Sequence, residues 1–584
     1  MRSLRGRSRG VALVVAVGIA LAGSGHAGAA TPIEGTYRGA HLTRVTGTLE
    51  GGFSVVAGES WVVFGCAVSA GTVLTKYAPA GGSKFTVTWL NVWASTTQGV
   101  EGVKCEYLFD GGPATVTVAR TKSGLSIEGC GGACATSGSE LVRVAATPAT
   151  TTAATTTTTT PPVGKLVVTL FGLPNRYGPD ANGDGLIDAL TTAQQVNPAE
   201  WTASVYVHRP NADCDAAAAY SWKVDGRAVE LEPTRTACVF SFSHFKALGR
   251  HRVAVTASGA GGQEAGSNIV VLRDLLIVGI GDSNASGEGN PDVAGAGARW
   301  IDPRCNRSHF GYQAQTASAL EHASDDTSVT FVHLACSGAS LEEGLLGAYR
   351  GIVDPGVKVS DIPPQIGALK ALVKARPADG VKQRPIDALL VSIGVNDLHF
   401  GAIVKQCLER TDCFTSKGLP GTRRGETVAQ AVKRWLAALP ARYDRLAATF
   451  VALQVPPQKV FISQYFDSLR DQRGQLCDPL IEVSLFRQTF TKDEAARAYS
   501  SFLLPLNAAV AAAARRHGWT LVPAPAAFRS HGYCASASWI VPLTESLRNQ
   551  WSTEGTLHAN LFGHEAQRKG VVAALKRQGI DGKP

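Results

Sequence analysis

The chain has 584 residues, 45% hydrophobic and 18% charged, which is too long for one domain and too apolar for an unfolded chain. Its formal net charge of +9 falls to about +5 without Arg2, Arg5, Arg7 and Arg9. So small a balance over this length argues against nucleic acid or an anionic membrane surface as partner.

The N-terminus reads MRSLRGRSRG, then VALVVAVGIALAG, and closes on Ala27-Gly28-Ala29. A basic stretch, an apolar run of about 13 residues and a small-residue cleavage site predict a secretory signal peptide over 1–29 and a secreted, extracellular protein. That run is too short to span a bilayer and no later stretch matches it, so stable membrane insertion is not expected. The string GRSRG at 6–10 fits a G-x-S-x-G nucleophile pattern but falls inside the leader. Twelve cysteines in an exported chain point to disulfides rather than metal or redox chemistry. They fall into even groups: Cys66, Cys105, Cys130 and Cys134, then Cys214 and Cys238, then six from Cys305 to Cys534.

Residues 30–146 are rich in Gly, Val, Thr and Ser, with alternating runs such as KFTVTWLNVWA and ATVTVAR, and predict a small all-β accessory domain. TPATTTAATTTTTTPP cannot build a core, so 147–163 read as an extended linker. Residues 164–272 return to strand patterns (KLVVTLFG, WTASVYVH, YSWKVDG, HRVAVTAS, NIVVL) and predict a β-sandwich. The strings YSWKVDG and LGRHRVAVTAS resemble polycystic-kidney-disease or immunoglobulin-like modules. In the same part, DANGDGLID places Asp180, Asn182, Asp184 and Asp188 at the oxygen-ligand spacing of a calcium loop, with Gly185 at the turn. Thr191 stands where an EF-hand carries its bidentate Glu, so a structural calcium site and a plain Asx-rich turn are both open.

From residue 273 the rhythm changes. LLIVGI, VTFVHLA, DALLVSI, KVFISQY and TLVPA are short apolar runs, and helical stretches such as YQAQTASALEHA and TVAQAVKRWLAAL alternate with them. A helix over Lys492–His517 is predicted from the Thr491/Glu494 capping pair and Gly518 past its end, with Pro505 kinking or splitting it. Strand–helix alternation with near-continuous apolar strands implies an α/β domain over 273–584, its parallel sheet covered on both faces. Ligands of such sheets bind at the carboxyl ends of the strands.

Chemistry gathers in the loops after those ends. Gly281-Asp282-Ser283 follows the first run, ACSGAS with Gly338 the second, and IGVNDLHF with Asn396 the third. His558 stands in TEGTLHANLFGHEAQ just before a final helix, where His564 reads as a structural or helix-start residue, and His399 in IGVNDLHF reads as a surface or packing residue. Acyl transfer needs such a set: a hydroxyl nucleophile, an imidazole to take its proton, and donors to meet the oxyanion. The Ser283 N–H, the Gly338 N–H and the Asn396 amide are candidates for that last role.

These four blocks resemble the SGNH, or GDSL, hydrolase family, and the strings GDSNASGEGN, CNRS, ACSGA and IGVNDLHF are most similar to secreted actinobacterial esterases and lipases. The resemblance covers 273–584 and implies a flavodoxin-like, three-layer αβα fold. It implies Ser283 as nucleophile, Gly338 and Asn396 completing the oxyanion hole, and His558 as base. It also implies disulfides Cys305–Cys336, Cys407–Cys413 and Cys477–Cys534. The family's Asp three residues before the histidine is replaced by Gly555, which leaves Glu554 or a backbone carbonyl to orient the imidazole. The expected function is a secreted serine ester hydrolase that needs no cofactor and acts on a lipid, a short-chain ester or an acetylated polysaccharide. A carbohydrate O-acetyl esterase and a surface-binding protein with a vestigial hydrolase domain are the alternatives, the intact four residues arguing against the second.

Overall fold

The computed structural model describes residues 164–584 apart from 178–187, 354–356, 375–382, 479–480, 484–487, 583–584 and a few shorter gaps, together with the backbone of strands between Gly35 and Val144. Eight of those earlier strands close into an antiparallel barrel, among them Leu42–Thr48, Gly52–Ala57 and Ala114–Arg120. The leader, the linker, Asp180, Asn182, Asp184 and the pairing of the first four cysteines lie outside the described residues.

Two antiparallel layers follow. One runs Val167–Gly172, Trp201–Arg209, Val239–Phe245, Thr234–Thr236; the other runs Arg227–Ala228, Ala219–Val224, Gly249–Gly259 and the first half of Gly262–Gly281. Alternation sends Ala203, Val205, Val207, Phe240, Phe242, Val253 and Val255 inward around Trp222, forming a core between the two layers. Cys214–Cys238 staples it.

The strand Gly262–Gly281, β1, does not stop at the sandwich. Residues 262–272 pair antiparallel with Gly249–Gly259, Glu264 and Ala265 also pair in parallel with Gly164–Lys165, and from Arg273 the same strand pairs in parallel with Thr327–His333, β2. The sequence changes character at that point. Before Arg273 only Val270 and Leu272 are buried, on either side of exposed Val271, and from Asp274 every residue is buried. One wet face has become two covered ones. Ala388–Ser392 (β3), Val460–Ser463 (β4) and Thr520–Val522 (β5) complete a parallel sheet in the order β2-β1-β3-β4-β5. That is the flavodoxin-like order, with its switch point beside β1.

Side chains on opposite faces of the sheet enter separate cores. Leu276, Val278, Ile280, Leu389, Val391 and Ile462 face one, which holds helices Val428–Ala452 and Leu504–His517. Leu275, Ile277, Ala388, Leu390 and Phe461 face the other, which holds Tyr312–Glu321 and Leu561–Arg577. Each fully buried Leu, Ile or Val contributes about 1.5–3 kcal/mol, so this double seam dominates the α/β part. The predicted helix over 492–517 is split as expected. Lys492–Arg497 opens on the Thr491–Glu494 capping box, a π-helical segment covers Ala498–Leu503, and Leu504–His517 restarts with Pro505 in its first turn. Helix Val428–Ala452 is longer than its sequence period suggested and carries Pro440 in its interior. The disulfides Cys305–Cys336, Cys407–Cys413 and Cys477–Cys534 form as the resemblance implied.

Asp274, wholly buried where β1 changes partners, accepts from Ser328 Oγ (2.6 Å) and Thr330 Oγ1 (2.7 Å) and pairs with Arg176 and Arg384. The Arg176 and Arg384 guanidiniums lie 4.7 and 5.1 Å from the ring of Trp201, a sandwich-core residue. The junction is therefore a buried ionic knot rather than a linker. Arg384→Leu should destabilise the protein by about 3 kcal/mol, because the Asp274 charge is left half-compensated in a dry site. A lower denaturant midpoint with unchanged secondary structure checks this.

Candidate active site

β1 ends at Gly281, whose N–H and C=O are both bound by the amide of Gln365 at 2.8 Å. The next residue, Asp282, caps a single helical turn, Ser283–Ser286, by accepting from Asn284 N at 3.2 Å. Its other oxygen accepts from Tyr465 Oη at 2.5 Å. Burial outweighs these donors and pushes the Asp282 carboxyl up to about 7. Asp282 is thus a buried clamp on the turn that presents Ser283, not a free base.

His558 arrives from 275 residues away, with Nε2 2.7 Å from Ser283 Oγ. That is the hydrogen bond a Ser–His nucleophile needs. The imidazole is held below its ordinary pKa chiefly by burial, opposed by the Glu288 charge and the carbonyls of Thr556, Gly555 and Glu554. A neutral ring able to accept the hydroxyl proton follows.

Gly338 and Asn396 border the same cavity as Ser283 and His558, a hollow of about 710 Å³. Gly338 has φ +81, and a Cβ there would meet Tyr349 Oη at 2.1 Å, so only glycine fits. The Tyr349 hydroxyl donates to Ser337 O at 3.0 Å and fixes that loop. One N–H of the Asn396 amide donates to Ala339 O at 3.0 Å, which leaves its second hydrogen for a substrate oxyanion. The neighbouring Asp397 is buried and accepts from Leu341 N (2.9 Å) and Arg442 Nη1 (2.6 Å), so the second and third loops are tied together. Tying its loop down and donating to an oxyanion are compatible in this one side chain.

Glu554 is placed otherwise than expected. Its side chain is exposed at the cavity wall, and among the described residues no carboxylate hydrogen-bonds to His558. Among the described residues the imidazole Nδ1 has no hydrogen bond of good geometry, but the backbone carbonyls of Thr556, Gly555 and Glu554 lie around it and raise its pKa as acceptors, in line with the backbone-carbonyl alternative rather than Glu554. His564 is a packing residue of the last helix: Nδ1 accepts from Tyr312 N at 3.2 Å, and burial lowers it to about 3. His399 packs on the Trp435 ring at 4.4 Å. Asp188, the described member of the suspected calcium loop, supports neither reading of that loop by itself. Cys407, Cys413 and Glu494 cluster as metal ligands would, but the sulfurs are bonded to each other and Glu494 accepts from Cys413 N at 3.0 Å.

Two features escaped the sequence. Glu288, in the loop of small residues after Ser283, is a buried carboxylate on the cavity wall. Its signal was a second acid, after Asp282, inside GDSNASGEGN. The second is an apolar channel of about 90 Å³ opening from Ser283 and His558, lined by Ile403, Val404, Phe414, Phe490, Phe502 and Leu557. Those residues come from several elements distant in sequence, and no local pattern marks them.

Residues 280–566 match the GDSL-like lipase/acylhydrolase family. Among solved structures, an extracellular lipase from Streptomyces rimosus is similar at 20% identity over 52% of this chain and 99% of its own, with a TM-score of 0.34. An acetyl xylan esterase from the rumen bacterium Butyrivibrio proteoclasticus is similar at 13% identity over 63% and 86%, with a TM-score of 0.25. A carbohydrate acetylesterase from Xanthomonas citri is similar at 10% over 71% and 75%, with a TM-score of 0.23. No curated protein matches the sequence.

If Asn396 meets the oxyanion, Asn396→Ala should lower kcat about a hundredfold, close to 3 kcal/mol, with KM little changed. Steady-state kinetics with a thermal melt check this. A lowered melting point with kcat retained would leave Asn396 as a loop tie alone.

Proposed function

We propose that this chain, a carboxylic ester hydrolase by virtue of its GDSL-like lipase/acylhydrolase domain, is a secreted serine esterase for esters with an apolar acyl chain. The observation that carries the reading is the 2.7 Å contact between Ser283 Oγ and His558 Nε2 at the carboxyl edge of the sheet. His558 takes the Ser283 proton as Oγ attacks the ester carbonyl. The oxyanion is met by the N–H groups of Ser283 and Gly338 and by the Asn396 amide. His558 then passes the proton to the departing alcohol, and a water activated by the same imidazole releases the acid.

The narrow apolar channel favours a lipid-like acyl group over an acetyl group. The broader cavity, with Lys405, Glu409 and Glu554 on its walls, suits a polar alcohol portion. Among the described residues no helix is long and apolar enough to cross a membrane, and the disulfides accord with an oxidising compartment. The signal-peptide pattern over 1–29 is the basis for proposing export.

A fluorophosphonate should label the wild type and not Ser283→Ala; labelling of neither would favour a binding protein. In a p-nitrophenyl ester series from acetate to dodecanoate, kcat/KM should rise about fourfold per methylene while the chain stays within the channel, following about 0.8 kcal/mol for each buried CH₂. Val404→Trp should erase that rise and spare the acetate rate. Fastest turnover of acetate or of acetylated glycans would sink the acyl-chain reading and leave an O-acetyl esterase.

A further inference from the structure

The imidazolium formed when His558 takes the Ser283 proton needs a nearby negative charge, yet no carboxylate touches the ring among the described residues. Position 555 cannot supply one. A Cβ on Gly555 would lie 2.8 Å from Gly289 Cα and 2.9 Å from Ser546 Oγ, so backbone already fills the space where a side chain would start. The segment that fills it carries Glu288 one residue earlier.

Glu288 is 1% exposed and lines the cavity shared by Ser283 and His558. It accepts from Asn306 Nδ2 at 2.9 Å, Ser337 Oγ at 2.5 Å and Gln550 Nε2 at 2.7 Å. Ser337 immediately precedes Gly338, and Gln550 belongs to the segment leading to His558. One carboxylate therefore joins the nucleophile loop, the oxyanion loop and the histidine loop.

We propose that Glu288 is the acid of this site, a positioning residue that stabilises the His558 imidazolium across a gap while its accepted hydrogen bonds hold the three loops in register. The proposal rests on the ester-hydrolase reading above. The other groups facing the ring are Ser283, the rim carboxyl of Glu554 and, from the last helix, His564, which burial keeps neutral. Among the influences that raise the pKa of His558 against its burial, the Glu288 charge is the largest.

The test is the pH dependence of kcat/KM. Glu288→Gln removes the charge at nearly constant volume, so the imidazolium loses its stabilising partner and its pKa falls further. The acid limb should move to lower pH by about one unit, and the plateau should fall about tenfold. Gln550→Leu keeps the carboxylate and removes one of its donors, so the field at the ring grows and the limb should move up. This second variant also serves if Glu288→Gln fails to fold. Lower activity with an unmoved limb in the folded variants would overturn the proposal and reduce Glu288 to a loop anchor. Fluorophosphonate labelling alongside separates the two levels: wild type that is not labelled at Ser283 removes the ester-hydrolase reading, whereas labelled protein with an unmoved limb removes only the role of Glu288.

Discussion

The arrangement of the site depends on the register of β1. Its inner half is buried on both faces and bonded in parallel on both sides, so it cannot slip by one residue without turning Leu276, Val278 and Ile280 into the wrong core. Gln365 binds both backbone groups of Gly281, and Asp282 then caps the turn that carries Ser283. Ser283 is placed by a chain of constraints that begins in the sheet and leaves its backbone little freedom. Because β1 starts in the sandwich, with Asp274 and Trp201 locking the crossing, the upstream layers brace the same strand that presents the serine.

Much of this was legible in the sequence because the signals were local. The apolar runs over 275–280, 329–335, 387–393 and 459–465 each contain a strand, since residues buried on both faces leave unbroken Val, Ile and Leu. The Thr491–Glu494 box and Gly518 bound the helical stretch they were read from, because capping is satisfied within a few residues. Pro505 was a fair warning of a break, and the wider π turn before it absorbs the missing N–H. Pro440 was not a break: a helix held by Trp435, Leu439, Tyr443 and Leu446 against the core tolerates one lost hydrogen bond.

What was illegible is what only the tertiary fold assembles. The continuity of β1 across two sheets could not be read from composition, because its change of partner occurs between hydrogen-bonded neighbours far away in the chain. The apolar channel draws Phe414, Phe490 and Phe502 from three elements, each of which reads as ordinary core. Glu288 reads as a loop acid and becomes intelligible only when Asn306, Ser337 and Gln550 converge on it.

The placement of Glu554 shows how a sequence departure can mislead. A missing acid beside a catalytic histidine invites a search along the same loop, and Glu554 is the nearest candidate by number. Space decides otherwise. Gly555 is pressed against Gly289, and Glu554 stays at the cavity wall. The same contact brings the segment after Ser283 up to the histidine loop, and that segment holds Glu288, whose hydrogen-bond partners among the described residues, Asn306, Ser337 and Gln550, are all neutral. A charge in such a place requires its donors to be fixed, because each one lost exposes more of an expensive desolvation. Gly555 and the buried Glu288 thus belong to one packing arrangement, in which the backbone of the segment after Ser283 lies directly against the histidine loop.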